Sequence, residues 1–296
     1  MNPSDRIVVT IFFGIFVEAL PFLLAGVLVS SAIHLFVAPE RMQRLLPRRP
    51  LGAALVGATL GLVFPVCECG AVPTARSLMQ KGAPVPLGLA FMLASPVVNP
   101  IVIASTAVAF AGVLGWGFVA WRIGLSFAIA VVVALVLGRG PATHALLAPS
   151  GRGDGCNQDH DEGPALLRLL RHAGDEFFEM GRYLVVGGLL AAGLQVSLSP
   201  TALLTLRHGV VVSVLVMMAL AVVLSICSTV DAFVALSFVA SFAPPALLAF
   251  LVFGPMIDLK STLMFTAAFR RRIVVGIVAL TALLVLGAVV ALQLRM

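Results

Sequence analysis

Cys67-Glu68-Cys69 sets two thiols on either side of one carboxylate, and Cys227 adds a third thiol about 160 residues further along. Thiolates select soft, thiophilic species such as Cu(I), Zn or, by the same logic, trivalent arsenic. Cys67, Cys69 and Cys227 are therefore candidate metal or metalloid ligands, with Glu68 beside them. Other readings stay open at this point. A lone membrane cysteine such as Cys227 reads more simply as a small hydrophobe filling a packing gap. The Cys67–Cys69 pair could also be redox active, although the commoner spacing for that chemistry is Cys-x-x-Cys.

Each cysteine copy is followed by a proline break beside an Asn or Asp. The first reads Ser95-Pro96-Val97-Val98-Asn99-Pro100, and the second Gly254-Pro255-Met256-Ile257-Asp258-Leu259. Such breaks free backbone carbonyls and expose N–H groups at half-helix ends, which coordinate ions and substrates in transporters. Asn99 and Asp258 are candidate binding residues, and equally natural caps for the broken helix ends. Pro65, Gly70, Pro96, Pro100, Gly254 and Pro255 are the expected backbone breaks, with Gly70 permitting a tight turn.

The apolar segments also carry charges: Glu18, Glu179, Asp231, Asp258, Lys260, Arg76, Arg122 and Arg182. A charge at bilayer centre costs at least about 2.5–3.5 kcal/mol on insertion scales. Asp231 and Asp258 near Lys260 are expected to form a buried ion cluster that couples protons. Glu18 and Glu179 are alternative carriers, while Arg122 and Arg182 read as snorkelling or locally paired. In the polar loop, Cys156-Asn157-Gln158-Asp159-His160-Asp161-Glu162 has no strong ligand spacing and reads as a solvated linker.

The elements that must position these residues are membrane helices. The 296 residues are 60% hydrophobic and 11% charged, with a mean hydropathy of +1.11, against about 25% charged for soluble domains. Apolar runs recur at lengths that span roughly 30 Å of hydrocarbon. The net charge of +6 does not imply a nucleic-acid partner, because the arginines cluster at segment ends as topology signals. No cleavable signal peptide is evident, and no nucleotide-binding motif is present.

Two halves are expected: a transmembrane repeat over 1–138, a polar, cytoplasmic loop over 139–172, and a second repeat over 173–296. The residues 17–29 align with 178–190, pairing Glu18 with Glu179 and Gly26 with Gly187, and the same offset holds through the cysteine and proline motifs, as a duplication requires. Charge separates two topologies. Single crossings throughout would leave eight Lys/Arg inside and seven outside. Re-entrant hairpins at 51–81 and 209–243 would put Arg41, Arg44, Arg48, Arg49, Lys81, Arg139, Arg152, Arg168, Arg171 and Arg270 to Arg272 inside, against Arg6, Arg207 and Arg295 outside. The second fits the positive-inside rule better. The expected fold is an all-α polytopic membrane protein whose homologous halves form an inverted repeat, with broken helices and re-entrant hairpins at the midplane.

At Cys67-Glu68-Cys69-Gly70, Val72-Pro73, Lys81-Gly82 and Ser95 to Pro100, and again at Cys227, Asp231-Ala232-Phe233 and Gly254 to Lys260, the chain resembles the ArsP/YraQ family of bacterial permeases. The resemblance implies an inner-membrane permease, not an enzyme, whose characterised relatives export trivalent organoarsenicals such as methylarsenite. It implies no cofactor; the partners are a small thiophilic solute and the lipid bilayer, and further copies of the chain remain an open choice. Glu68 stands where the family pattern leads one to expect a small residue, and Thr229 replaces a second cysteine in the second copy. A soft-metal cation exporter and a membrane thiol–disulfide relay are the alternatives.

Overall fold

In the computed structural model, residues 3–36, 46–47, 49–64, 66–138, 165–197 and 209–294 are described. Pro65 and the loop motif Cys156 to Glu162 lie outside them. Among the described residues there are twelve helices and no β-strand, as a backbone that must satisfy its own hydrogen bonds in hydrocarbon requires. The first half holds α1 (Pro3–Phe36), α2 (Pro50–Val63), α3 (Glu68–Gln80), α4 (Val85–Ala94), α5 (Pro100–Phe110) and α6 (Trp116–Leu137). The second holds α7 (Ala165–Ser197), α8 (Val210–Leu224), α9 (Asp231–Leu236), α10 (Pro244–Met256), α11 (Leu259–Ala268) and α12 (Arg271–Gln293). Residues 165–172, read from sequence as the end of the polar loop, are helical and continuous with the rest of α7.

Among the described residues, five stretches are long and apolar enough to cross a membrane: Asp5–Ile33, Trp116–Leu137, Leu169–Ser197, Pro244–Ala268 and Arg271–Gln293. The long helices α1, α6, α7 and α12 carry exposed apolar side chains such as Phe13, Trp121, Phe178 and Leu283, which suits a surface bathed in lipid. The short helix α4 is buried along its whole length, and α10 nearly so.

Several helix pairings recur in the two halves. Helix α2 lies on α4 as α8 lies on α10; α4 meets α6 as α10 meets α12; α3 meets α11 as α9 meets α5. The hairpin helix of each half thus packs against the broken segment of the other. Gly57 and Gly61 give α2 its close approach to α4: a Cβ on Gly61 would stand 2.7 Å from the Ser95 Cα, the small-xxx-small packing common between membrane helices. Two pairs of equivalent helices run antiparallel. Ser30 near the end of α1 donates to Glu176 near the start of α7 at 2.9 Å, while Gly188 of α7 lies against Phe12 of α1. Leu137 at the end of α6 meets Gly276 near the start of α12.

The breaks are less symmetric than the motifs that mark them. Residues 95–99 interrupt the first segment, and Pro100 opens α5 at a position where its missing N–H costs nothing. In the second half Gly254 and Pro255 stay inside α10, and the chain leaves the helix at Ile257–Asp258. Pro255 sits so near the helix end that little helix is left for it to disrupt. Gly70 makes no turn either: it lies in the first turn of α3, where its missing side chain admits α1.

Candidate functional site

Helix α2 ends at Val63, and Cys67 becomes the extended N-cap of α3, with φ −77° and ψ 178°. That geometry leaves Cys67 outside the helix while Glu68 opens it. In the second half α8 ends at Leu224, its C-cap Ser225 is a non-glycine residue in the left-handed conformation (φ 44°), and Cys227 follows in irregular backbone. Conformations of that kind persist where surrounding structure enforces them, and they cluster at functional sites.

These two interruptions meet. The Cys67 and Cys227 thiols and the Glu68 carboxylate are buried, and one ligand atom from each lies within 4.8 Å of the other two. Cys67, Cys69 and Cys227 are all free thiols. Cys69, the second residue of α3, is buried but stands outside this three-residue set. Cys227 thus stands beside the first-half motif, close to both Cys67 and Glu68.

Lys260 closes the site from the opposite half. Its Nζ lies 2.9 Å from Glu68 Oε1 and 3.5 Å from Asp258 Oδ2, and it donates to the Ser225 carbonyl at 3.2 Å. The side chain is only 3% exposed. A buried ion of this kind persists only when its partners compensate the loss of water. Asp258 is itself fixed by a capping box: its side chain accepts from the Ser261 N–H at 2.6 Å, and Ser261 Oγ bonds back. Glu68 Oε2 has no hydrogen-bond partner among the described residues, nor does the hydroxyl of Ser228, which takes the place of Glu68 in the second copy. Glu18, half-buried on α1, faces Lys260, Glu68 and Cys227.

Two glycines position the site, one from each half. Gly26 of α1 touches the backbone of Gly70, just after the Cys-Glu-Cys sequence, so closely that no Cβ fits. Its repeat equivalent Gly187 does the same to α11: a Cβ there would stand 2.8 Å from the Lys260 Cα.

Other expected residues lie elsewhere. Asn99 caps α5, accepting from the Ile101 N–H at 2.8 Å. Asp231 does not join Asp258 and Lys260; it pairs with Arg122 at 2.6 Å, and Arg122 also donates to Thr106 Oγ1 at 2.6 Å. Arg122 is thus fully buried, not snorkelling. Arg182 is exposed and lies over the Tyr183 ring, 5.1 Å from its centroid. Glu179 pairs with Arg76 at 3.0 Å, one turn from the Ser30–Glu176 bond, so it and Glu18 share a repeat position but not an environment. Glu176 is not marked by the sequence motifs; its spacing from Glu179, three residues apart on one helix face, is the available signal for it.

The molecule's likeness to known proteins agrees with this architecture. A family model described as a predicted permease, ArsP_1, matches residues 6–294. The chain is 43% identical over 281 residues to the UPF0718 protein YcgR of Bacillus subtilis, covering 94% of each chain. It is 33% identical over 277 residues to the "Putative two-component membrane permease complex subunit" of Streptococcus mutans, covering 93% of this chain and 91% of that one. A third relative, the UPF0718 protein YraQ of Escherichia coli, is 29% identical over 112 residues, 38% of this chain and 31% of its own length. No solved structure matches.

Proposed function

The chain belongs to the ArsP-type family of predicted permeases and is a multi-pass membrane protein; from that premise we propose that it is a secondary efflux permease for a thiophilic solute, a trivalent organoarsenical such as methylarsenite, held between Cys67 and Cys227. One observation carries this reading: the duplicated halves each deliver one buried thiol to the same place, with the two sulfurs and the Glu68 carboxylate within 4.8 Å of one another.

The chemistry balances without outside help. A monosubstituted arsenic(III) acid carries two As–OH groups. Each exchanges its As–O bond for an As–S bond, and the thiol proton leaves with the hydroxide as water. Two thiols and one such molecule give one dithiolate adduct and two waters, with no change in charge. Asp258, through Lys260, holds its broken helix end beside this path, and Glu18, facing the thiols, is the coupling acid we assign. Asp231, engaged by Arg122, serves the fold. The halves are inverted in this reading, supported by the antiparallel run of α1 on α7 and of α6 on α12, so that the two hairpins enter from opposite sides and can rock about the thiols. By likeness to its Streptococcus mutans relative, the permease works with a second subunit.

A soft divalent metal is the second reading, favoured by Glu68, whose carboxylate completes a sulfur–sulfur–oxygen donor set. Uptake into everted membrane vesicles separates the two. Methylarsenite uptake is expected to fall roughly tenfold or more in Cys67→Ser and in Cys227→Ser, the loss of one of two bonds to the solute, and to persist in Cys69→Ser. Zinc or copper uptake with no methylarsenite uptake would favour the metal. Methylarsenite uptake undiminished in Cys67→Ser and Cys227→Ser would remove the thiol site altogether.

A further inference from the structure

The donor set of Cys67, Glu68 and Cys227 has the composition of a site for zinc or cadmium, yet a cation is already built into its wall. Lys260 reaches Glu68 Oε1 at 2.9 Å, and the Ser225 carbonyl and Asp258 Oδ2 hold the same ammonium at 3.2 and 3.5 Å. We propose that Lys260 determines specificity in this site: it is a tethered cation that turns a soft-metal donor set into one for neutral trivalent metalloid acids. The inference rests on the reading of Cys67 and Cys227 as the binding thiols.

Three features keep the ammonium in place. Asp258 and Ser261 fix the start of α11, where Lys260 is the second residue. Gly187 packs against the Lys260 backbone with no space between, so α7 buttresses α11 from behind. Ser225 adopts a left-handed conformation that a serine rarely takes, and its carbonyl receives the ammonium. Strain retained at a residue whose carbonyl meets a buried charge points to a task for that charge.

The discrimination follows from charge. A divalent cation entering between the thiols has to displace two thiol protons and then sit beside a fixed positive charge that little water screens. Repulsion between like charges grows steeply in such surroundings. A neutral arsenic(III) acid brings no charge and releases only water, so the ammonium does not oppose it. Lys260 already engages Glu68 Oε1, which leaves only Oε2 open to a metal.

Cadmium binding to the full-length protein in detergent tests this, read from the ultraviolet sulfur-to-cadmium charge-transfer band. Lys260→Met is expected to bind cadmium roughly tenfold or more tightly than wild type, whereas Lys260→Arg, which keeps the charge, binds it no better. Lys260→Met with Asp258→Asn repeats the test with the cluster's net charge and helix cap preserved, guarding against misfolding of the single variant. Adding Cys67→Ser to either is expected to remove the band. Equal cadmium affinity in wild type and both Met variants overturns the proposal, as does a gain that survives loss of Cys67. Phenylarsine oxide titrated against the free thiols of wild type supplies the second arm. If it consumes two thiols per molecule and the Met variants gain no cadmium, the role of Lys260 alone fails; if it consumes none, the thiol reading fails and this inference with it.

Discussion

Arg122→Met lowers the stability of the purified protein by about 3–5 kcal/mol, the cost of leaving one member of a buried ion pair without its partner. Arg122 and Asp231 are both nearly inaccessible, at 1% and 2% exposure. Their contact at 2.6 Å ties α6 of the first half to α9 of the second. Thr106 on α5 accepts from the other guanidinium nitrogen and donates to the Val102 carbonyl, so one arginine organises three helices. Arg122→Met with Asp231→Leu removes both charges and is expected to recover most of the loss, because an apolar pair of similar volume leaves nothing unsatisfied. Thermal unfolding in detergent measures both. A single variant as stable as wild type would show that Asp231 has no need of Arg122. Transport retained in the double variant would confirm that Asp231 serves the fold and carries no proton.

Gly26→Val is expected to cost at least about 1–3 kcal/mol from overpacking, and to weaken methylarsenite binding as well. The new side chain has to enter the backbone of Gly70, which cannot yield as a flexible side chain would. Helix α3 must then move away from α1, carrying Cys67 and Glu68 with it. Gly187→Val is expected to do the same to α11 and Lys260. Gly14, on the same helix as Gly26, has nothing within 4 Å of the point where a Cβ would stand. Gly14→Val is therefore the control, expected to leave midpoint and binding unchanged. Equal effects at Gly14 and Gly26 would mean that the close approach of α1 and α3 does not matter.

Much of this architecture can be read along the chain. The two cysteine–proline motifs fall in two halves that each hold six of the twelve helices among the described residues. The Gly26–Gly187 pairing, found from a 13-residue alignment, identifies the two contacts that seat the site. Asn99 and Asp258 cap the broken helices, as residues of their type do when a segment is interrupted. What could not be read was rotation and partner choice. The Cys-Glu-Cys spacing does not reveal that α3 begins between the two cysteines, with Cys67 in extended backbone and Cys69 in the helix, nor that Cys67 and Glu68 are the pair that groups with Cys227. Asp231 and Arg122 lie 109 residues apart and find each other because two helices of different halves pack, a long-range fact that spacing does not encode. Proline marks a segment as broken but not the residue at which it breaks, as α10 shows by running through Pro255.

One solute held by one thiol from each half shields both thiols together. Alkylation of the full-length protein, mapped by mass spectrometry before and after one equivalent of methylarsenite, tests it most directly. Cys67 and Cys227 are expected to be protected together, in equal proportion, with Cys69 unchanged. Protection of Cys67 with Cys69 while Cys227 stays reactive, or protection of none, would contradict the account.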